Sequence, residues 1–366
     1  MKVLWIFNHP APYKVRLFNE INKDPDIDLD VIFERTQAKD RPKAFYNINE
    51  YNFHVEFLKH GYFGNENSFS SGIKKYLKKN HGNYDLIIMN GYSKIAEMRA
   101  IKYLKKHKID YCLYINGGIV HQESKFKRKL KTKYVSSAKW YLSPCPEADE
   151  YLLYYGAKKE NIYHYPYSTL YESDIISKSL NEHDKMIIRE KYQLPSGMLF
   201  VNASQFIERK NNMQLIKIFE KRDEKLLLIG DGPELKQYQD YIKENDIKNV
   251  FLLPFKKKGE LFEILKACDC FITLSKEDIY GHTINEALSN GLPVISSDKV
   301  IGSKHLIENG INGYLVSLDD EEQIIKALNS ITPIMIRNAI EKSKEYTIEN
   351  SAKVHLKLFK ELTKCE

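Results

Sequence analysis

What this 366-residue chain has little of narrows its chemistry first. Its five cysteines, Cys112, Cys145, Cys268, Cys270 and Cys365, are odd in number and fit neither a disulfide framework nor a zinc site. No apolar run approaches the roughly 20 residues needed to cross a bilayer. The opening apolar run ends quickly at His9, Pro10 and Pro12, and no small-residue cleavage site follows, so it reads as a strand and not as a leader. There is no internal repeat and no low-complexity tract. Excess charge is scarce too: 56 Lys and Arg face 49 Asp and Glu, a net of +7. That balance suits an anionic ligand or a membrane surface and does not call for nucleic acid. The expectation is a reduced cytoplasmic protein, at most peripheral at the inner face of the cell membrane.

What is present is length and alternation. The chain exceeds one typical domain and suits two. Hydrophobic residues, at 43%, are enough for two full cores. Short apolar runs predict strands near 2–8, 28–34, 84–90, 110–116, 140–144 and 161–166. A second set falls near 198–203, 225–230, 249–254, 270–275, 292–297 and 313–317. Helical patterns lie between most of them. Runs such as Leu226-Leu227-Leu228-Ile229 are apolar throughout, as strands covered on both faces are. The class is therefore α/β, with two Rossmann-like domains built on parallel sheets and facing one another. The polar stretch within 172–190 marks the boundary, giving domains 1–175 and 188–345, and a helix over 347–363 returns to the first. Its apolar positions are Ala352, Val354, Leu356, Leu358, Phe359 and Leu362. Residues 35–70 lack a period and are expected to form an irregular loop.

The densest chemical signal runs from Ser275 to Ile295. A buried strand ends at Ser275, a loop carries Glu277 and Asp278, and Gly281 opens a helix through His282, Thr283, Ile284 and Glu286. Gly291 stops the helix and Pro293 leads into the next strand. Ile284, Ala287 and Leu288 share a core-facing stripe, and Glu286 lies nearly opposite. The start of such a helix has free N–H groups and a partial positive charge, so it can receive a diphosphate. Nearby carboxylates would accept hydrogen bonds from sugar or ribose hydroxyls. The plainer alternative is a capping Asp278 and a solvated Glu286.

This block resembles the acidic-x7-acidic signature of glycosyltransferase family 4, retaining enzymes of the GT-B fold. The seven-residue spacing to Glu286 falls on Asp278, where the family usually has Glu. The resemblance implies that Asp278 holds donor-sugar hydroxyls and Glu286 the ribose. Phe206-Ile207-Glu208-Arg209-Lys210-Asn211 resembles the family's Arg-Lys-Gly segment, which implies that Arg209 and Lys210 clamp the donor diphosphate. Asn211 stands at the usual glycine and tolerates left-handed backbone angles. Gly230-Asp231-Gly232-Pro233 resembles the family's Gly-Asp-Gly-Pro turn beside the nucleotide, with Pro233 expected at the first helical position. Asn309 to Leu315 resembles its closing turn. The resemblance is carried by about 198–320 and weakens before it. Many members have a Gly-rich loop after the first strand, whereas this chain has Asn8-His9-Pro10-Ala11-Pro12-Tyr13. After the strand ending at Tyr114, Gly117 and Gly118 would let backbone approach the donor. His121 stands as a substitute for a family His near the reacting carbon, with a structural role as its alternative.

The run Lys125-Phe126-Lys127-Arg128-Lys129-Leu130-Lys131-Thr132-Lys133 is basic and amphipathic, as surfaces that attract anionic lipid are. A solvated helix face is the other reading. Taken with the family resemblance, the expectation is a retaining, metal-independent hexosyltransferase with no cofactor beyond its nucleotide-diphosphate-sugar substrate. Arg209, Lys210 and Asp278 would be its catalytic groups. Its acceptor would be a glycan or lipid-linked, in bacterial surface polysaccharide assembly. A nucleotide-sugar epimerase and a non-catalytic sugar-nucleotide-binding protein of the same fold are the alternatives.

Overall fold

The computed structural model describes residues 1–37, 46, 50–58, 60–63, 67–70 and 72–364. They form two compact units: Met1–Thr169 joined by the chain from Thr347 onward, and Leu170–Tyr346.

The first unit runs β1 (Lys2–Phe7), α1 (Pro12–Ile21), β2 (Asp28–Phe33), β3 (His54–Phe57), β4 (His60–Phe63), β5 (Asn67–Ser70), α2 (Gly72–Asn80), β6 (Leu86–Asn90) and α3 (Ile95–Lys106). It continues through β7 (Cys112–Tyr114), α4 (Lys125–Val135), β8 (Trp140–Ser143), α5 (Pro146–Tyr154) and β9 (Ile162–His164). Its seven-stranded sheet has the order β3-β2-β1-β6-β7-β8-β9, parallel throughout. Residues 35–70 are not irregular throughout, as the sequence led us to expect. β3 extends the sheet beside β2, and β4 pairs with β5 as an antiparallel hairpin. Four-residue strands are too short to show a period in sequence.

The second unit runs α6 (Glu182–Lys191), β10 (Leu199–Ala203), α7 (Asn212–Phe219), β11 (Lys225–Ile229), α8 (Leu235–Glu244), β12 (Val250–Leu253), α9 (Lys258–Lys266) and β13 (Cys270–Thr273). It goes on through α10 (His282–Ser289), β14 (Val294–Ser297), α11 (Ser303–Leu306), β15 (Gly313–Val316), α12 (Glu321–Leu328) and α13 (Pro333–Lys344). Its parallel sheet has the order β12-β11-β10-β13-β14-β15. One core, around Leu199, Val201, Leu227 and Phe271, takes in Ile284, Ala287 and Leu288 of α10. Another gathers Phe200, Leu226, Leu228, Ile272 and Phe219. Strand residues alternate between the two cores, which is why these runs are apolar at every position. Asn181 caps α6 by accepting from the Asp184 amide (2.8 Å), and Asp320 caps α12 in the same way through Gln323 (2.9 Å).

The chain then forms α14 (Ile348–Lys364), which packs on α1 of the first unit. Its core stripe is Ser351, Ala352, His355, Leu358, Phe359 and Leu362, all buried, while Val354 and Leu356 are only half-buried. The apolar positions read from the sequence are therefore not all in the core. His355 completes the 3.6-residue period and is held neutral, its pKa pushed down to about 3 by burial. Its Nδ1 sits 2.7 Å from the Ser351 carbonyl. Beside it lies Lys14 of α1, also buried. Its Nζ donates to the Tyr114 hydroxyl and lies over the Tyr114 and Tyr167 rings at 4.4 and 4.3 Å. Among the described residues no carboxylate pairs with it, and burial holds its pKa well below the usual lysine value. No described helix is long and apolar enough to cross a membrane.

The Lys14 site makes a stability prediction. A lysine whose folded pKa is depressed binds fewer protons than the unfolded chain, so its burden on folding lifts as pH rises toward about 10.4. The groups that face it, Tyr114, Tyr165, Tyr167 and the neutral His355, supply no compensating negative charge near neutrality. Lys14→Met should therefore stabilise the protein at pH 7 by about 1 kcal/mol or more. The gain, read by thermal unfolding, should shrink as pH approaches 10. A variant less stable than the parent at pH 7 would show that Lys14 is a net stabilising group.

Candidate functional site

Sheet order sets the place where a ligand is received in the second unit. From β10 the chain moves outward through β11 to β12, then returns to β13 and moves the other way. Loops leaving β10 and β13 therefore diverge, and the crevice outside their carboxyl ends is the place where open α/β sheets take ligands. The loop after β10 carries Arg209 and Lys210, and the loop after β13 carries Glu277 and Asp278. The Lys276 amide donates to the Arg209 carbonyl (2.8 Å), and the Asn211 amide side chain donates to the Leu274 carbonyl (3.0 Å). Asn211 takes the left-handed conformation at φ 57°, the angle for which glycine is the usual residue.

Asp278 is where these loops meet. Lys210 Nζ donates to its Oδ2, Arg209 Nη1 is 3.6 Å from the same oxygen, and Arg209 Nη1 also donates to the Glu277 carbonyl (3.2 Å). The Tyr280 amide donates to Asp278 Oδ1 (3.2 Å). Burial by itself would raise the Asp278 pKa. Lys210 above all, with the Tyr280 amide and Arg209, outweighs it and holds the carboxyl below its ordinary value. Two cations over one carboxylate leave the cluster with a net charge of +1 near neutral pH.

Helix α10 begins just beyond. Its N-cap, Gly281, has φ 83° and no side chain with which to cap the first turn. A Cβ there would lie 2.6 Å from Val300 Cγ1, so the position admits only glycine without a shift. His282, Thr283 and Glu286 are partly exposed, while Ile284, Ala287 and Leu288 are buried, as the stripe in the sequence requires. The turn after β11 supports the β10 loop from beneath. Ser204 donates to the Ile229 carbonyl (3.0 Å), Phe206 to the Asp231 carbonyl (2.8 Å), and Glu234 to the Phe206 carbonyl (3.1 Å). A Cβ on Gly230 would sit 1.9 Å from the Ser204 carbonyl oxygen, and one on Gly232 would sit 2.4 Å from that of Phe206. Pro233 precedes α8 by two residues and is not its first residue; Glu234 is the N-cap.

The sequence reading passed over Phe255. It follows β12, whose Leu253 carbonyl accepts from the Gly230 amide (3.0 Å), and it is 73% exposed. Pro254 signals a turn there, but nothing in the sequence distinguishes an exposed Phe from a core one.

Gly117, Gly118 and His121 belong to the first unit, in the loop after β7. Gly118 has a packing reason for its identity: a Cβ would meet the Tyr151 ring at 2.5 Å. Tyr151 pairs through its hydroxyl with Tyr92. Farther along this loop Glu123 accepts from Tyr155 (2.5 Å) and pairs with Lys131 (2.8 Å). His121 is exposed. This unit has its own reversal of strand order, between β1 and β6. There Arg35 donates to Asn8 (2.7 Å), while the Glu34 carboxyl is fully buried with neither oxygen hydrogen-bonded. Burial and the neighbouring Glu97 push its pKa well above the usual range.

Two units, each a parallel sheet with helices in its connections, make the fold of GT-B glycosyltransferases. Anabaena HepE, solved in complex with UDP, superposes with a TM-score of 0.77 over 100% of both chains at 16% identity, a level that shows the fold alone. Residues 184–353 match the model described as Glycosyl transferases group 1, a span that holds every site residue of the second unit. Among curated relatives, the N-acetyl-alpha-D-glucosaminyl L-malate synthase of Bacillus anthracis is 28% identical over 144 residues, 38% of this chain. The UDP-Gal:alpha-D-GlcNAc-diphosphoundecaprenol alpha-1,3-galactosyltransferase of Escherichia coli is 30% identical over 156 residues, 42% of this chain. The aligned part spans 37% of the length of each.

Gly230→Ala tests the support under the Arg209–Lys210 loop. A Cβ facing a backbone carbonyl at 1.9 Å cannot be absorbed by a rotamer change, so the β10 loop must move. The expected cost is about 1–3 kcal/mol of stability, with faster amide hydrogen exchange at Ser204 and Phe206. Unchanged exchange at both would show that the two turns are not interlocked.

Proposed function

We propose that this chain is a retaining glycosyltransferase that moves a sugar from a nucleoside-diphosphate-sugar to a glycan or lipid-linked acceptor in bacterial surface polysaccharide assembly. The observation that carries the reading is the Arg209–Lys210 pair drawn onto Asp278 beside the start of α10. A departing diphosphate accumulates negative charge as the glycosidic bond breaks. Arg209, Lys210 and the first amides of α10 are preorganised to receive it, so the stabilisation grows toward the transition state. Those groups supply the positive charge that a metal would otherwise bring, which supports metal independence. Asp278 accepts from donor-sugar hydroxyls and Glu286 from the ribose, the roles that the acidic-x7-acidic resemblance implies. Retention at the anomeric carbon rests on that resemblance as well. Phe255 offers the base an aromatic face on which to stack.

The HepE complex holds UDP and the E. coli relative is named for UDP-Gal, so uridine diphosphate sugars are the first donors to test. The acceptor belongs to the first unit in this reading, at the β1/β6 reversal beside Asn8 and Glu34. Hydroxyls there would donate to oxygens that lack partners. In this reading Gly117, Gly118 and His121, in the loop after β7, keep the donor-binding roles that the sequence suggests for them.

Lys210→Ala should lower turnover of the preferred UDP-sugar by about a hundredfold, the scale of one lost charge-stabilising group, with the fold intact by circular dichroism. Parent-level turnover in that variant removes the donor assignment. Calorimetry separates the two carboxylates. Glu286→Ala should weaken binding of free UDP about tenfold. Asp278→Ala should bind free UDP at least as well as the parent, since the cluster loses its negative charge, and yet transfer sugar poorly. If Glu286→Ala binds UDP like the parent, the ribose role of Glu286 is wrong.

A further inference from the structure

The basic run of the first unit is a helix with two different faces. Ser124 caps α4 by accepting from the Lys127 amide (3.3 Å). At about 100° per residue, Phe126, Lys129, Leu130 and Lys133 fall on one side, with Lys125 beside them. The opposite side is buried through Tyr134 and Val135. Lys131 turns to that inner side and is consumed there by Glu123 and the Tyr155 hydroxyl (2.8 and 3.0 Å). It is therefore not part of the outward charge. Phe126 is 77% exposed, more than any other large apolar side chain described. Leu130 is exposed as well. Arg128 lies 4.3 Å over the ring of Tyr154 on α5, and Tyr154 and Leu153 are themselves exposed. At about 100° per residue Arg128 stands about 160° round the helix from Phe126, so the Arg128–Tyr154 contact belongs to the side of α4 that meets α5 and not to the outward face.

Neither half of this pattern accounts for the other in a solvated helix. A helix face that only needs solubility has no use for an outward Phe and Leu. A face that only covered a protein core would bring apolar neighbours to Phe126 and would not ring it with lysines. Aromatic and aliphatic tips surrounded by cations match an anionic bilayer, whose headgroups meet the lysines while the apolar tips enter the acyl boundary.

We propose that the outer face of α4 docks this protein onto anionic lipid bilayers, with Lys125, Lys129 and Lys133 on the headgroups and Phe126 inserted. The inference rests on α4 alone. It deepens the glycosyltransferase reading by placing the enzyme at a surface that carries lipid-linked acceptors.

The test uses the full chain with phosphatidylcholine vesicles, with and without phosphatidylserine. Phe126→Trp supplies a reporter, since Trp5 and Trp140, the two native tryptophans, are both buried. Phosphatidylserine vesicles at low salt should bind the protein and shift the reporter's emission to the blue. At about 1 M salt, where the Debye length is near 3 Å, binding should fall away. Replacing Lys125, Lys129 and Lys133 together by Gln should weaken binding on the order of a hundredfold, with circular dichroism unchanged. The proposal is overturned if the parent ignores phosphatidylserine vesicles at low salt, if the triple variant binds like the parent, or if the emission of the Phe126→Trp reporter does not move. Retention on heparin without vesicle binding would reassign the face to a soluble polyanion and overturn it equally. UDP-sugar hydrolysis in solution should be the same in all these variants, so failure of docking and failure of the transferase reading give different results.

Discussion

The candidate donor site depends on one carboxylate that needs two cations. Asp278 is largely withdrawn from water at the end of β13, and a buried charge is tolerated only when it is paired. Its partners come from the loop after the adjacent strand β10, with Lys210 lying 68 residues earlier in the chain and Arg209 just before it. Everything around the site serves to bring those two loops together. Lys276 and Asn211 tie them by hydrogen bonds, and Gly230 and Gly232 allow the β11 turn to close beneath. The Asp278 loop is in turn fastened to the segment before α11, where Ile301 donates to the Asp278 carbonyl (3.1 Å) and Gly302 to the Tyr280 carbonyl (3.0 Å). A cluster of this kind adds little to stability compared with apolar residues of the same shape. Its value lies in the surplus positive charge it holds in a fixed place.

The two units answer similar topological problems with opposite polarity. At the β10/β13 reversal of the second unit, donors predominate: an ammonium, a guanidinium and the first amides of a helix. At the β1/β6 reversal of the first unit, the side-chain atoms without a hydrogen bond are the Asn90 oxygen, an acceptor, and the Glu34 carboxyl, whose raised pKa favours the form with one acceptor and one O–H donor. A diphosphate is made only of acceptors and fits the first kind of site. A polyol offers hydroxyl donors and fits the second. The polarity of the hydrogen-bonding groups at each reversal is thus matched to a different kind of ligand within each unit.

Most strands were legible because both faces of each sheet are covered, which leaves uninterrupted apolar runs such as Leu226–Ile229. The β13–α10 block was legible for a related reason: a buried strand, an acidic loop, a glycine with φ 83° and a helix with one apolar stripe impose their constraints within some twenty consecutive residues. Where the sequence reading failed, the constraint lay far away in the chain. β3 exists because β2 offers it an edge, and no local period marks it. Pro233 looks like the start of a helix, yet the hydrogen bond from Glu234 to Phe206 delays the first turn. Lys131 counts as one more surface charge until Glu123 and Tyr155 are placed beside it.

Lys14 and His355 are the sharpest instance. The sequence reading named neither, because a helix stripe is normally traced through apolar letters alone. Placed between α1 and α14, they are enclosed by Trp5, Tyr114, Tyr165 and Phe359, with ring centroids 4.8–6.0 Å from His355. An imidazole that stays neutral costs little there, since one nitrogen meets the Ser351 carbonyl of its own helix. An ammonium has no such recourse and must lean on aromatic faces and one phenol. The last helix of the chain is thus fitted to the first unit by ring packing around two groups that hydropathy would have sent to water, and only the three-dimensional partner set explains why they stay.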